Sequence, residues 1–133
     1  MSLQNLENYI KTAETHKSLE SLTAWLLELG KHHLSDLSIR QHENFVNGCQ
    51  SQTWISADCA DGVWQFGFLS DAYFVQALGR IVTDTYSGLT AEQIQQITYH
   101  NFKPLASRFS IQRQRGLQAF INRVHTLTQG ASQ

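Results

Sequence analysis

The sequence predicts an α+β fold in which a small antiparallel sheet of two to three strands packs against several helices on one face. Three observations lead there. Residues from Thr53 to Asp58 and from Val63 to Leu69 are strand-like, with Trp64, Phe66 and Phe68 alternating against Val63, Gln65 and Gly67. Asp61-Gly62 between them signals a hairpin turn, because glycine supplies the positive φ such turns need without steric cost. Helical periodicity flanks this hairpin on both sides.

In chain order, Leu3, Leu6, Ile10 and Ala13 recur at helical spacing after a Ser2 cap. Leu19, Leu22, Leu26 and Leu29 form the apolar stripe of a second helix, with Trp25 beside it, Ser18 at its start and Gly30 just past its end. Residues 31–45 read as irregular structure or a broken helix, with a weakly signalled strand at 43–47. Ser70-Asp71 is expected to open the central helix, the serine capping it and the aspartate facing the positive end of its dipole. Its buried face is Phe74, Val75, Leu78, Ile81 and Val82, and Gly88 closes the stretch. Thr90 with Gln93 is a capping-box pattern for a short helix bearing Ile94 and Ile97. Pro104 places an irregular connection at about 99–109. The last helix is expected from near Ser110, with a stripe of Leu117, Phe120, Ile121, Val124 and Leu127, and the tail 129–133 is expected to be disordered.

With 133 residues the chain forms one domain, 1–133, able to bury a core without disulfides. Hydrophobic residues at 41% and charged residues at 16% leave neither a membrane-length apolar run nor a charged block, so no membrane partner is expected. The beginning of the chain lacks the features of a signal peptide, which leads to the expectation of a cytoplasmic location, where both cysteines stay as free thiols. A net charge of -1 argues against non-specific nucleic-acid binding. Residues 93–133 nevertheless hold five basic and no acidic residues, a segment suited either to an acidic partner surface or to a solvated face balanced elsewhere in the fold.

Cys49 stands in Asn47-Gly48-Cys49-Gln50-Ser51-Gln52-Thr53-Trp54, where small and amide residues favour a tight loop that presents a thiol. No basic residue adjoins it in sequence. Thiolate must therefore be favoured by groups folded nearby, by backbone N–H groups, or by a docked partner. Cys59, near the hairpin turn, reads as a bystander.

The run Val46 to Trp54 closely resembles the signature V-x-G-C-x-S-x-V-W of SufE-type sulfur acceptors. Glu28-Leu29-Gly30-Lys31, Ser70-Asp71-Ala72 and Ser110-Ile111-Gln112-Arg113-Gln114-Arg115-Gly116-Leu117 follow the family order, so the resemblance spans about residues 17–127. It implies a SufE/IscU-like fold and a carrier rather than a stand-alone enzyme. Such a protein takes persulfide sulfur from a cysteine desulfurase, SufS-like or CsdA-like, onto its motif cysteine, stimulates that enzyme, and hands the sulfur to an iron–sulfur scaffold. Cys49 matches the persulfide-bearing position. The carrier would need no cofactor of its own, the pyridoxal phosphate belonging to the desulfurase. Gly48, Gln50, Ser51, Asp71, Arg113 and Gly116 would support the loop or the docking surface. For Asp71 the plainer reading is helix-start electrostatics, for Arg113 a local hydrogen bond in a first helical turn, and for Gly116 close approach of another segment. The chain departs from the family at His32-His33-Leu34, at Gln76-Ala77 and at Gln114-Arg115, which bears on partner choice more than on Cys49.

Other readings stay beside this one. A binding-only adaptor would regulate a desulfurase without carrying sulfur. A zinc module could draw on His32, His33, His42, Cys49 and Cys59, but their spacing fits no compact ligand unit, so no metal is expected. A cysteine hydrolase would need a histidine base that has no local signature here. The chain also lacks the several cysteine ligands of IscU, which disfavours direct cluster assembly.

Overall fold

A computed structural model of the chain describes residues 2–31, 36–46 and 51–129. Helices α1 (Ser2–Thr15) and α2 (Leu19–Lys31) come first, followed by two 3-10 turns, Leu37–Ile39 and His42–Asn44. Strands β1 (Thr53–Ala60) and β2 (Val63–Ser70) form the hairpin, and α3 (Tyr73–Tyr86) follows. A two-residue strand β3 (Leu89–Thr90), α4 (Ala91–Gln96), α5 (Tyr99–Ala106) and α6 (Ile111–Gln129) complete the order. The sheet is antiparallel in the order β1-β2-β3, and the fold is α+β as the sequence predicts.

Asp61 and Gly62 both take positive φ, 54° and 77°, as a two-residue hairpin turn requires. The register pairs Thr53 with Ser70 and Ala60 with Val63, so β1 runs two residues beyond the predicted boundary. Cys59 therefore lies within β1 opposite Trp64, exposed and close to the turn as expected.

Residues directly opposite in an antiparallel pair share a face, which assigns the two sides of this sheet. Phe68, on the helix side, lies under α3, where a Cβ on Gly79 would come 2.2 Å from its ring. The Trp54–Leu69 and Ser56–Gly67 pairs point the other way. That second face is covered by the segment of the 3-10 turns: a Cβ on Gly67 would stand 2.9 Å from Ile39 Cδ1, and Arg40 lies 4.9 Å over the Trp54 ring. The expected strand at 43–47 reduces to a single bridge, Phe45 to Trp54.

α3 packs on β2, α1, α2 and α6 and holds the centre of the core, with Phe74, Leu78, Ile81, Val82 and Tyr86 buried. Gly30 is inside α2, not past its end. A Cβ there would come 1.8 Å from the Tyr73 carbonyl oxygen, so this glycine serves close approach of α2 to α3. Ser18 does cap α2, its hydroxyl accepting from Ser21 N–H at 3.0 Å.

Ser70 and Asp71 do not open α3. Ser70 ends β2, and α3 starts after Ala72 with no acidic residue in its first turn. The serine is held in the strand because its N–H donates to the buried Gln76 side chain at 3.1 Å and its hydroxyl to Gln52 O at 3.1 Å. The capping box at Thr90 and Gln93 forms as expected, with N–H donations of 3.3 and 3.0 Å. Residues 99–106 are helical despite Pro104. The turn is started by Thr98 N–H donating to the Asn101 side chain at 3.0 Å, and Phe102, Leu105 and Ala106 bury its inner side. In α6, Leu117, Phe120, Ile121 and Val124 are buried, joined by Thr128, and Gln129 is still helical. Residues 130–133 of the expected tail lie outside the described residues.

Candidate functional site

Gly48, Cys49 and Gln50 lie outside the described residues, and the site is built from what holds the chain on either side of them. Val46 N–H donates to Thr53 O at 2.9 Å, and Val46 is buried. On the far side, Thr53 Oγ1 stands 3.2 Å from both Ser51 O and Ser70 Oγ, and Asp71 N–H donates to Gln52 O at 3.2 Å. The ends at Val46 and Ser51 are thus tied to the same end of β1, Val46 on its outer edge and Gln52 on the edge that pairs with β2. Phe45 meets Trp54 edge to face at 5.9 Å and fixes that edge from the second face.

Ser51 lines a cavity of about 530 Å³ with Ala72, Phe74, Val75 and Leu78 from the start of α3, and Ser110, Gln112, Arg113, Arg115, Gly116 and Phe120 from α6. Its floor is aromatic and aliphatic and its rim is polar and cationic. Three predicted site residues, Ser51, Arg113 and Gly116, therefore meet here. Arg113 is exposed, with its guanidinium 3.7 Å over the Phe74 ring, while its backbone N–H donates to Ser110 Oγ at 3.3 Å. Both the local bond and a place at the cavity are present. Apart from its chain neighbours and its own helix backbone, no described residue would come within 4 Å of a Cβ on Gly116.

Asp71 faces elsewhere. It borders a second, smaller cavity of about 190 Å³ with Leu37, Arg40, Gln52, Trp54, Leu69 and Ser70. The Gln52–Asp71 backbone bond forms the ridge between the two cavities, Ser51 and Ala72 lining one and Gln52 and Asp71 the other.

Among the described residues, no three His, Cys, Asp or Glu side chains gather as metal ligands would. None of the helices there is long and apolar enough to cross a membrane.

A family model described as SufE, Fe–S metabolism associated domain, matches residues 7–128. The chain belongs to the SufE family. A SufE-like protein of Rhizobium meliloti is 33% identical over 115 residues, covering 80% of this chain and 81% of that protein. Another from Rhizobium etli is 36% identical over 109 residues, covering 75% and 73%. The solution structure of a hypothetical protein from Thermus thermophilus matches with a TM-score of 0.76 at 21% identity, covering 96% of this chain and 95% of that one, which shows the shared fold. SufE membership ties the chain to iron–sulfur metabolism and to sulfur transfer in general.

Sequence reasoning does not single out Phe74, Arg115 or Phe120 as part of the site. The available signal is spacing: Arg113, Gly116 and Phe120 are three and four residues apart, which puts them on one face of a helix. Along the chain that face reads only as part of the core stripe.

Proposed function

We propose that this SufE protein accepts a sulfur atom from a pyridoxal-phosphate-dependent cysteine desulfurase as a persulfide on Cys49 and delivers it to iron–sulfur cluster assembly. The observation that carries the reading is the placement of Ser51 and Arg113 on one cavity beside the segment that bears the motif cysteine. Ser51 follows the motif cysteine by two residues, a length of chain that spans at most about 7 Å, and this short separation supports the reading.

In the transfer step the Cys49 thiolate attacks the terminal sulfur of the desulfurase persulfide. A new S–S bond forms at Cys49 as the partner's S–S bond breaks, and the partner cysteine leaves as a thiolate. Sulfane sulfur moves without net oxidation, so the step calls for no metal or redox cofactor on the carrier. The cationic rim and the N-terminal end of α6 favour negative charge on sulfur beside the cavity, consistent with thiolate chemistry.

Incubation with a cysteine desulfurase and cysteine should add the mass of one sulfur at Cys49, and Cys49→Ser should abolish both the adduct and the stimulation of the desulfurase. Stimulation that survives Cys49→Ser without any adduct would establish the adaptor reading instead.

A further inference from the structure

Arg123 belongs to the basic C-terminal segment, is half-buried, and among the described residues pairs with no carboxylate. Its Nη2 donates to the backbone carbonyl of Glu43 at 2.7 Å, across 80 residues of sequence. Its Nε is buried with no hydrogen-bond partner among the described residues. A guanidinium bonded to a backbone carbonyl makes a charge-assisted hydrogen bond, stronger than one between neutral groups.

The gripped segment runs into the motif cysteine. Residues 42–46 make their other ties locally or to the sheet: Asn44 Nδ2 donates to Ile39 O at 2.9 Å, Phe45 N–H to His42 O at 3.1 Å, and Val46 N–H to Thr53 O at 2.9 Å. The bond from Arg123 joins this stem to α6. On α6 the residues Arg113, Gly116, Phe120 and Arg123 follow one another at spacings of three, four and three, so they share one helical face. Arg113, Gly116 and Phe120 line the cavity, and Arg123 holds the stem on the same side of the helix.

We infer that Arg123 is a positioning residue for sulfur acceptance: it fixes the stem at residues 42–46 against the helix whose first turns build the cavity. The inference rests on the proposed function. It adds a residue that does not line the cavity.

The test compares Arg123→Gln and Arg123→Lys with the unaltered protein in desulfurase-dependent sulfur loading, with amide hydrogen exchange read on the same variants. With Arg123→Gln, loading at saturating desulfurase should fall at least about fivefold while the half-saturating concentration stays within about twofold, because orientation is lost and not docking. Exchange should quicken at least about tenfold in peptides covering 42–46 and stay unchanged in the strands. Arg123→Lys, which keeps a cationic donor, should recover at least half of the lost rate. Lys103→Gln removes the same charge from an exposed position and should load normally.

Unchanged loading in Arg123→Gln would overturn the inference, as would loss of structure throughout that variant, since the arginine would then be holding the core. If the unaltered protein takes up no sulfur, the proposed function itself fails, a result distinct from either.

Discussion

The Arg113 guanidinium lies 3.7 Å from the centroid of the Phe74 ring, which itself meets Phe109 edge to face at 5.6 Å. The start of α6 is thereby clipped to the start of α3 at the mouth of the larger cavity. Because Arg113 is exposed, the attraction is partly screened, and a double-mutant cycle between Arg113→Ala and Phe74→Leu should give a coupling of about 0.5–1 kcal/mol in denaturant unfolding. A coupling near zero would mean the two residues are neighbours without being partners. Arg113→Lys should lose part of it, since an ammonium cannot lie flat on the ring.

The contact at Gly30 is a harder constraint. A Cβ at that position would lie 1.8 Å from Tyr73 O and 3.0 Å from Ala77 N, both backbone atoms that cannot rotate away. Gly30→Ala must push α2 off α3, so it should destabilise the protein by about 1–3 kcal/mol even though alanine is the better helix former by about 1 kcal/mol. An unfolding midpoint equal to that of the unaltered protein would show that the helices have room to separate freely.

Gly30 also shows where a single sequence stops being legible. A glycine that ends a helix and one that lets a neighbouring backbone approach look the same along the chain, and only the position of Tyr73 separates them. Signals decided within four residues are legible: the Asp61-Gly62 turn, the Thr90 and Gln93 capping box, the Ser18 cap and the stripe of α6 all stand where local chemistry puts them. Features decided by distant partners are not. β3 is two residues long and exists because Leu89 and Thr90 meet Trp64 and Val63. Ser70 looks like a helix cap but is retained in β2 by Gln76 and Gln52. At the site, the family pattern points to Ser51, Arg113 and Gly116, whereas the sorting of Asp71 into a separate cavity depends on how the hairpin meets α3.

Alkaline pH should unfold the protein through its buried phenols. Burial, reinforced by donation of the Tyr9 hydroxyl to Asp84 Oδ2, pushes the Tyr9 phenol well above its ordinary value. Burial does the same for Tyr86, which is fully buried with its hydroxyl donating to Ile97 O at 2.6 Å. Both phenols are neutral when folded. Their contribution is therefore complete below about pH 10, where unfolded tyrosine ionises, and is lost as pH rises above it, since the unfolded chain then binds fewer protons. Phenolate absorbance from these two should appear together with unfolding. Tyr9→Phe, lacking one of the groups, should show a shallower loss of stability above that pH. Titration of all four tyrosines before any loss of helical signal would contradict this.

Cys59 supplies the control for the thiol chemistry. It is exposed in β1 opposite Trp64, at the end of the hairpin remote from the Thr53–Ser70 pair that adjoins the cavity. At about 3.3 Å per residue, the six residues from Thr53 to Cys59 put it roughly 20 Å along the strand. An exposed cysteine there makes no contact that an isosteric hydroxyl would forfeit, so Cys59→Ser should change stability by no more than about 0.5 kcal/mol. Exposure also leaves Cys59 open to alkylation, so a total thiol count cannot report on Cys49, and peptide mapping is needed to separate the two. Cys59→Ser should therefore load one sulfur as the unaltered protein does. If sulfur were instead recovered on Cys59, or loading fell in Cys59→Ser, the carrier thiol would lie at the wrong end of the hairpin and the cavity at Ser51 and Arg113 would have no part in the transfer.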